Sequence, residues 1–134
     1  MRVYLVLLML LGAVSADAAP KAKPIVIENT MTRGHLNAVV QKGPQRFIAT
    51  IRVDPVMDKG RFVGYRLVGI AADSPMASGE NIRPGDVIVS VNKESLERPE
   101  QFMRAWDVVR NAASLDVLIL RGNQRYLYRW KIAP

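Results

Sequence analysis

The hydrophobic period of this chain changes three times along its length, and that order of changes limits the fold more than any other feature. Leu36, Val39 and Val40 stand at helical spacing within Gly34 to Lys42 (GHLNAVVQK), after a candidate N-cap at Thr32 and before the stop signal Gly43-Pro44. The period then becomes two. Phe47, Ala49, Ile51 and Val53 alternate with less apolar positions, as a strand with one buried face does. Pro55 and the turn Asp58-Lys59-Gly60 lead to Phe62 to Ile70 (FVGYRLVGI), and Arg83-Pro84-Gly85-Asp86 leads to Val87 to Val91. Next comes a helix that opens around Ser95 to Pro99 and runs to about Asn111, with Phe102, Ala105, Trp106 and Val109 at i, i+3, i+4 and i+7. Leu115 to Arg121 and Gln124 to Ile132 are extended again, joined by the hairpin pair Gly122-Asn123.

Asp73 to Gly79 reads as a single capped helical turn with Pro75 at its first position. Ile25-Val26-Ile27 has room for only a short strand. The expected class is α+β: a small curled antiparallel sheet of five or six strands, capped by one long helix and one or two short ones.

The 134 residues are one domain's worth, and 49% apolar with 23% charged residues is globular composition. The first 18 residues read differently. Met1-Arg2 is positive, Val3 to Val14 is nearly all apolar, and Ala16 and Ala18 flank Asp17 as small residues before a cleavage point. This is the three-part pattern of a secretory signal peptide, with cleavage expected after Ala18. The apolar run falls short of the roughly 20 residues that cross a bilayer; an uncleaved inner-membrane anchor is the alternative. Residues 19–30 are expected as an extended leader and 31–134 as the folded domain, periplasmic or secreted.

Composition also removes several chemistries. There is no Cys and a single His, His35, so a structural zinc site and a cysteine nucleophile are out of reach, and a lone His on a short helix reads as a surface or packed residue rather than as the base of a serine nucleophile. Phosphate-binding glycine motifs are missing. No metal, cofactor or catalytic residue is expected, and the chain reads as a non-enzyme. Its net charge of +7 is scattered rather than clustered. That argues against nucleic acid and leaves an acidic partner or peripheral contact with an anionic membrane surface as readings.

Val68 to Lys93 (VGIAADSPMASGENIRPGDVIVSVNK) resembles a bacterial PDZ domain, through Ser74-Pro75-Met76-Ala77, Gly85-Asp86-Val87-Ile88 and Val91-Asn92-Lys93. Lys93 stands where that family usually has Gly. A wider stretch, Met31 to Ile132, is similar to the periplasmic PDZ domain of type II secretion system protein C, through Arg52-Val53-Asp54-Pro55, Gly60, Val63, Gly64, Tyr65, Arg66 and Leu67. The resemblance implies a module that binds a peptide or protein, a secretion substrate or secretion-system component among them, by adding a strand to a sheet edge beside a helix. It assigns the loop and groove strand to Val63, Gly64, Tyr65, Arg66, Leu67, Val68, Gly69 and Ile70. Met103 and Trp106 become the groove wall, with Phe102, Ala105 and Val109 facing the core. Both Met103 and Trp106 could equally complete the core, and Gly64 could mark a β-bulge. Type II protein C carries a membrane helix and a second domain ahead of its PDZ domain, a pattern this sequence does not follow. A regulatory partner of an envelope protease is the alternative reading.

Overall fold

The computed structural model describes residues 23–77 and 81–134. In chain order the elements are β1 (Ile25–Thr32), α1 (Arg33–Gln41), α2 (Pro44–Ile48), β2 (Ile51–Asp58), β3 (Arg61–Ile70), β4 (Val87–Val91), β5 (Glu94–Ser95), α3 (Pro99–Arg110), β6 (Ser114–Arg121) and β7 (Gln124–Ala133). The strands form one sheet in the order β1-β7-β6-β4-β3-β2, with β5 attached to β4. This is an α+β fold with one long and two short helices. The expected signal peptide and the first leader residues lie outside the described residues, as does the end of the turn at 78–80. Among the described residues no helix is long and apolar enough to cross a membrane.

Two elements differ from the sequence expectation. Residues 25–32, most of which were expected in the leader, form a full strand, β1, parallel to β7 from Ile25↔Tyr126 to Thr32↔Ala133. Apolar alternation is broken at Asn29 and Thr30, so the residues alone do not announce a strand. The ladder supplied by β7 makes one, and Ile27 packs on the core. Conversely, the strand expected from Phe47 begins at Ile51. Gly43 enters with φ of 90°, Pro44 starts α2, and the Thr50 hydroxyl closes the helix on the Phe47 carbonyl at 2.7 Å. The alternation at residues 47 and 49 is a coincidence of spacing.

Leu67 and Ile119 are fully buried at the centre, with Ile82, Ile88, Val117 and Tyr128 around them. Each buried aliphatic side chain contributes about 1.5–3 kcal/mol. The inner face of α3 is Ala105 and Val109, and α1 inserts Leu36. Three polar devices fix the frame. Asp86, 1% exposed, accepts from Arg121 Nε and Nη2, both at 2.8 Å, and from the Arg83 amide at 2.9 Å. That carboxylate holds the Arg121 guanidinium well above its usual pKa range. Arg33 ties the start of α1 to the end of α3 and the turn after it, reaching Arg110 O at 3.2 Å and Ala112 O at 2.9 Å. Asn92 and Lys93, with φ of 47° and 70°, make a primed turn from β4 to β5. The Asn92 side chain bonds Ser114 O at 3.0 Å and the Asp116 amide at 2.7 Å.

Candidate binding groove at the edge of the sheet

Strand addition needs an unpaired ladder, and among the described strands the outermost are β1 and β2. The expected groove strand is not one of them. On β3, Tyr65 pairs with Pro55 and Ile88, and Arg66 pairs with Asp54 and Val87. The Leu67 amide donates to Asp86 O at 2.8 Å and its carbonyl accepts from the Gly85 amide at 2.8 Å, while Val53 lies opposite on β2. Tyr65 to Leu67 are thus paired on both sides and have no ladder to extend, while Gly69 and Ile70 pair with β2. The free ladder therefore moves one strand outward, to β2.

The remaining expected residues sit as follows. Val63 is the extra residue of a bulge, since Val56 pairs with Gly64 and Met57 with Phe62. Gly64 is buried because a Cβ there would collide with the Ile88 carbonyl oxygen. It permits β3 and β4 to approach and is not a ligand loop. Tyr65 packs edge-on against Phe62, with ring centroids 5.1 Å apart. Arg66 is exposed, Leu67 is core, and exposed Val68 is the extra residue of a second bulge. Gly69 lies beneath the Arg52 guanidinium, and Ile70 packs on the core. On α3, Met103 is exposed. Trp106 is half-buried between Phe102 and Phe47, at centroid distances of 6.0 and 5.8 Å.

The backbone pattern of β2 specifies which part of its edge can be used. Leu67 sends its amide and carbonyl toward β4, so its partner Val53 sends its own away from β3, as does Pro55 two residues on. Pro55 has no N–H to offer. An added strand thus finds a donor and an acceptor at Val53 and only an acceptor at Pro55, which restricts pairing to the Ile51–Val53 end. Two open clefts meet at that end. One, of about 320 Å³, lies between α1, α2 and the Asp73–Pro75 turn. The other, of about 300 Å³, runs along Ala49–Arg52 and Gly69–Ala71, and Thr50 lines both. Lys42 and Arg46 border the first cleft, and neither makes an ion pair among the described residues.

Sequence reasoning missed Phe47, Ile51 and Val53 as site residues. One signal was available: a proline inside a strand marks an edge. Among the described residues no cluster of three or more His, Asp or Glu side chains is placed to hold a metal ion. What remains is backbone ladder, apolar surface and a cationic rim, which suit the holding of an extended chain.

The chain is similar to solved structures of PDZ domains. The PDZ domain of EpsC from Vibrio cholerae matches with a TM-score of 0.50 and 17% identity, over 73% of this chain and 95% of that chain. The PDZ domain of the pullulanase C protein of the type II secretion system from Klebsiella pneumoniae, solved in complex with fatty acid, matches with a TM-score of 0.49 and 20% identity. That match covers 72% of this chain and 98% of the other. No family model and no curated protein matches the sequence. Taken with the strand order and helix α3, the first of these likenesses establishes that this chain has the PDZ fold.

Proposed function

We propose that the chain is a non-catalytic binding module that takes an extended peptide or protein segment at Ile51–Val53, in the periplasm, within protein secretion or envelope assembly. The observation that carries this is the outward donor and acceptor of Val53, free on an edge strand where two clefts meet. Side chains of the bound segment pack toward α2 and α3. The export signal expected at residues 1–18 and the similarity to protein C's PDZ domain support the setting. The basic rim favours ligands with acidic character.

Display of random hexapeptides against the wild-type domain and against Val53→Pro tests the reading. The substitution deletes the outward donor of Val53 while leaving the β2–β3 bonds in place, and circular dichroism checks that the fold is kept. Wild type should enrich a peptide family and Val53→Pro should lose it. Equal enrichment on both proteins would refute the placement.

A further inference from the structure

Phe47 and Trp106 are joined by a tilted ring contact at a centroid distance of 5.8 Å. Trp106 Nε1 is buried and has no acceptor. Buried donors are almost always bonded in native structures, so an orphaned one needs a reason. One of the two rings beside this indole, that of Phe47 at a centroid distance of 5.8 Å, comes from α2, five residues long, none of them buried and with no side-chain N-cap bond. By contrast α1 is capped by Thr32 Oγ1, which accepts from the His35 amide at 3.1 Å, and is tied to α3 through Arg33. Gly43 enters α2 in the left-handed region, at φ of 90°, and its exit is anchored at Thr50. There the hydroxyl bridges the Phe47 carbonyl at 2.7 Å and Ser74 Oγ at 2.9 Å, and the carbonyl accepts from the Ala71 amide at 2.8 Å. Phe47 also borders the open cleft of about 320 Å³ on the α1 side, whose lining does not include Trp106. The ring therefore has a second place to go.

We infer that α2 is a displaceable strap over a ligand subsite on α3. Phe47 occupies the position of a bulky apolar ligand side chain against Trp106, and the Trp106 indole N–H is a donor for a ligand carbonyl once that ring has moved. The ligand class is a peptide that presents an aromatic or large aliphatic residue. The inference deepens the peptide-binding reading, and its biological meaning rests on that reading. The subsite itself can be tested without any strand addition.

The probe is N-acetyl-phenylalanine amide, which carries one aromatic ring and two carbonyls and is too short to extend a ladder. In a Trp130→Phe background Trp106 is the single tryptophan. Phe47→Ala should raise acrylamide quenching of Trp106 at least threefold. It should also bind the probe at least tenfold tighter than the parent, with the indole N–H resonance moving downfield on titration. An indole resonance that does not move, or equal binding by both proteins, overturns the inference. If Phe47→Ala fails to fold, Thr50→Val serves instead, because it keeps the ring and loosens only the anchor. Amide exchange at 45–49 and Trp106 quenching should then both increase, and unchanged values overturn the strap. Val53→Pro should leave the probe titration unaltered. A positive titration with a failed peptide screen thus rejects strand addition alone, and the reverse rejects the strap alone.

Discussion

Replacing Asp86 with Ala tests how the PDZ frame is held. The residue is 1% exposed and its two carboxylate oxygens accept three bonds of 2.8–2.9 Å, two from Arg121 and one from the Arg83 amide. Arg121 Nη2 also reaches Asn81 O at 2.8 Å, and the guanidinium lies 4.9 Å from the Tyr126 ring centroid. Removing one partner of a fully buried pair costs about 3–5 kcal/mol, because a charge is left without compensation. The Arg121 side chain is 24% exposed and keeps Asn81 and Tyr126, so the low end applies, about 3 kcal/mol. In a domain of this size that lowers the melting midpoint by roughly 12 °C. Arg121→Met should cost at least as much, since the buried carboxylate then keeps only an amide. The double variant leaves neither charge and should recover about 2 kcal/mol of the summed loss. Urea unfolding followed by circular dichroism measures all four corners of the cycle. The Asp86 bond raises the Arg121 pKa, so the stabilisation from that ionisation is complete below the ordinary guanidinium value. It is lost only as pH climbs through the still higher folded value. The penalty of Arg121→Met should therefore stay flat between about pH 6 and pH 10. A cost for Asp86→Ala under about 1 kcal/mol, or additive single variants, would refute the argument that this pair clamps the 81–86 segment to β6 and β7.

Gly64→Ala should destabilise by roughly 2–3 kcal/mol in the same urea assay, because the added methyl meets the Ile88 carbonyl and β4 must shift. Gly34, whose would-be Cβ meets nothing within 4 Å, is the control, and Gly34→Ala in α1 should gain up to about 1 kcal/mol. Lys93→Gly should stabilise by about 0.5–1 kcal/mol, since it relieves a left-handed lysine at φ of 70°. Asn92→Gly should instead lose about 1 kcal/mol by giving up the bonds to Ser114 and Asp116.

Most of the frame was legible because period and turn chemistry agree there. The stripe of Ala105 and Val109, the Val87–Val91 strand and the Gly122-Asn123 hairpin fall where spacing puts them. So does Thr32 as the cap of α1. The differences at β1 and at the groove strand share one cause: they depend on which strands meet, and a local pattern does not carry that information. Residues 25–32 become a strand only because β7 offers a parallel ladder. The expected groove strand, Tyr65 to Ile70, has strand character, but β2 covers it from outside. Gly64, expected as a ligand loop or a bulge, pairs with Val56 next to the bulge residue Val63, with the Ile88 carbonyl oxygen close against it. For Met103 and Trp106 the helical spacing was read correctly. The ring lying over Trp106 was not, because Phe47 was counted as strand.

The distribution of anchors bears on why a ligand would meet α2 first. β3, β4, β6 and β7 carry the fully buried Leu67 and Ile119 and the Asp86–Arg121 clamp, and opening them exposes core. Residues 43–49 bury no side chain fully and are held at their ends by the Gly43 amide on the Val40 carbonyl at 3.1 Å and by the hydroxyl bridge and Ala71 bond at Thr50, with one ring contact between. Free energies of local opening follow such differences, from near zero for weakly packed segments up to the global value for core strands. The strap can therefore open while the sheet stays intact. The groove helix need not move either, since Ala105 and Val109 hold α3 from its inner face. A ligand that displaces Phe47 thus works against a small local cost on a rigid platform. In return it takes over an apolar contact already shaped to an aromatic ring and gains the indole bond that the unliganded fold leaves unmade. A fold that had buried Phe47 fully, or had given Trp106 Nε1 an internal acceptor, would have no such difference between its closed and open states for a ligand to exploit.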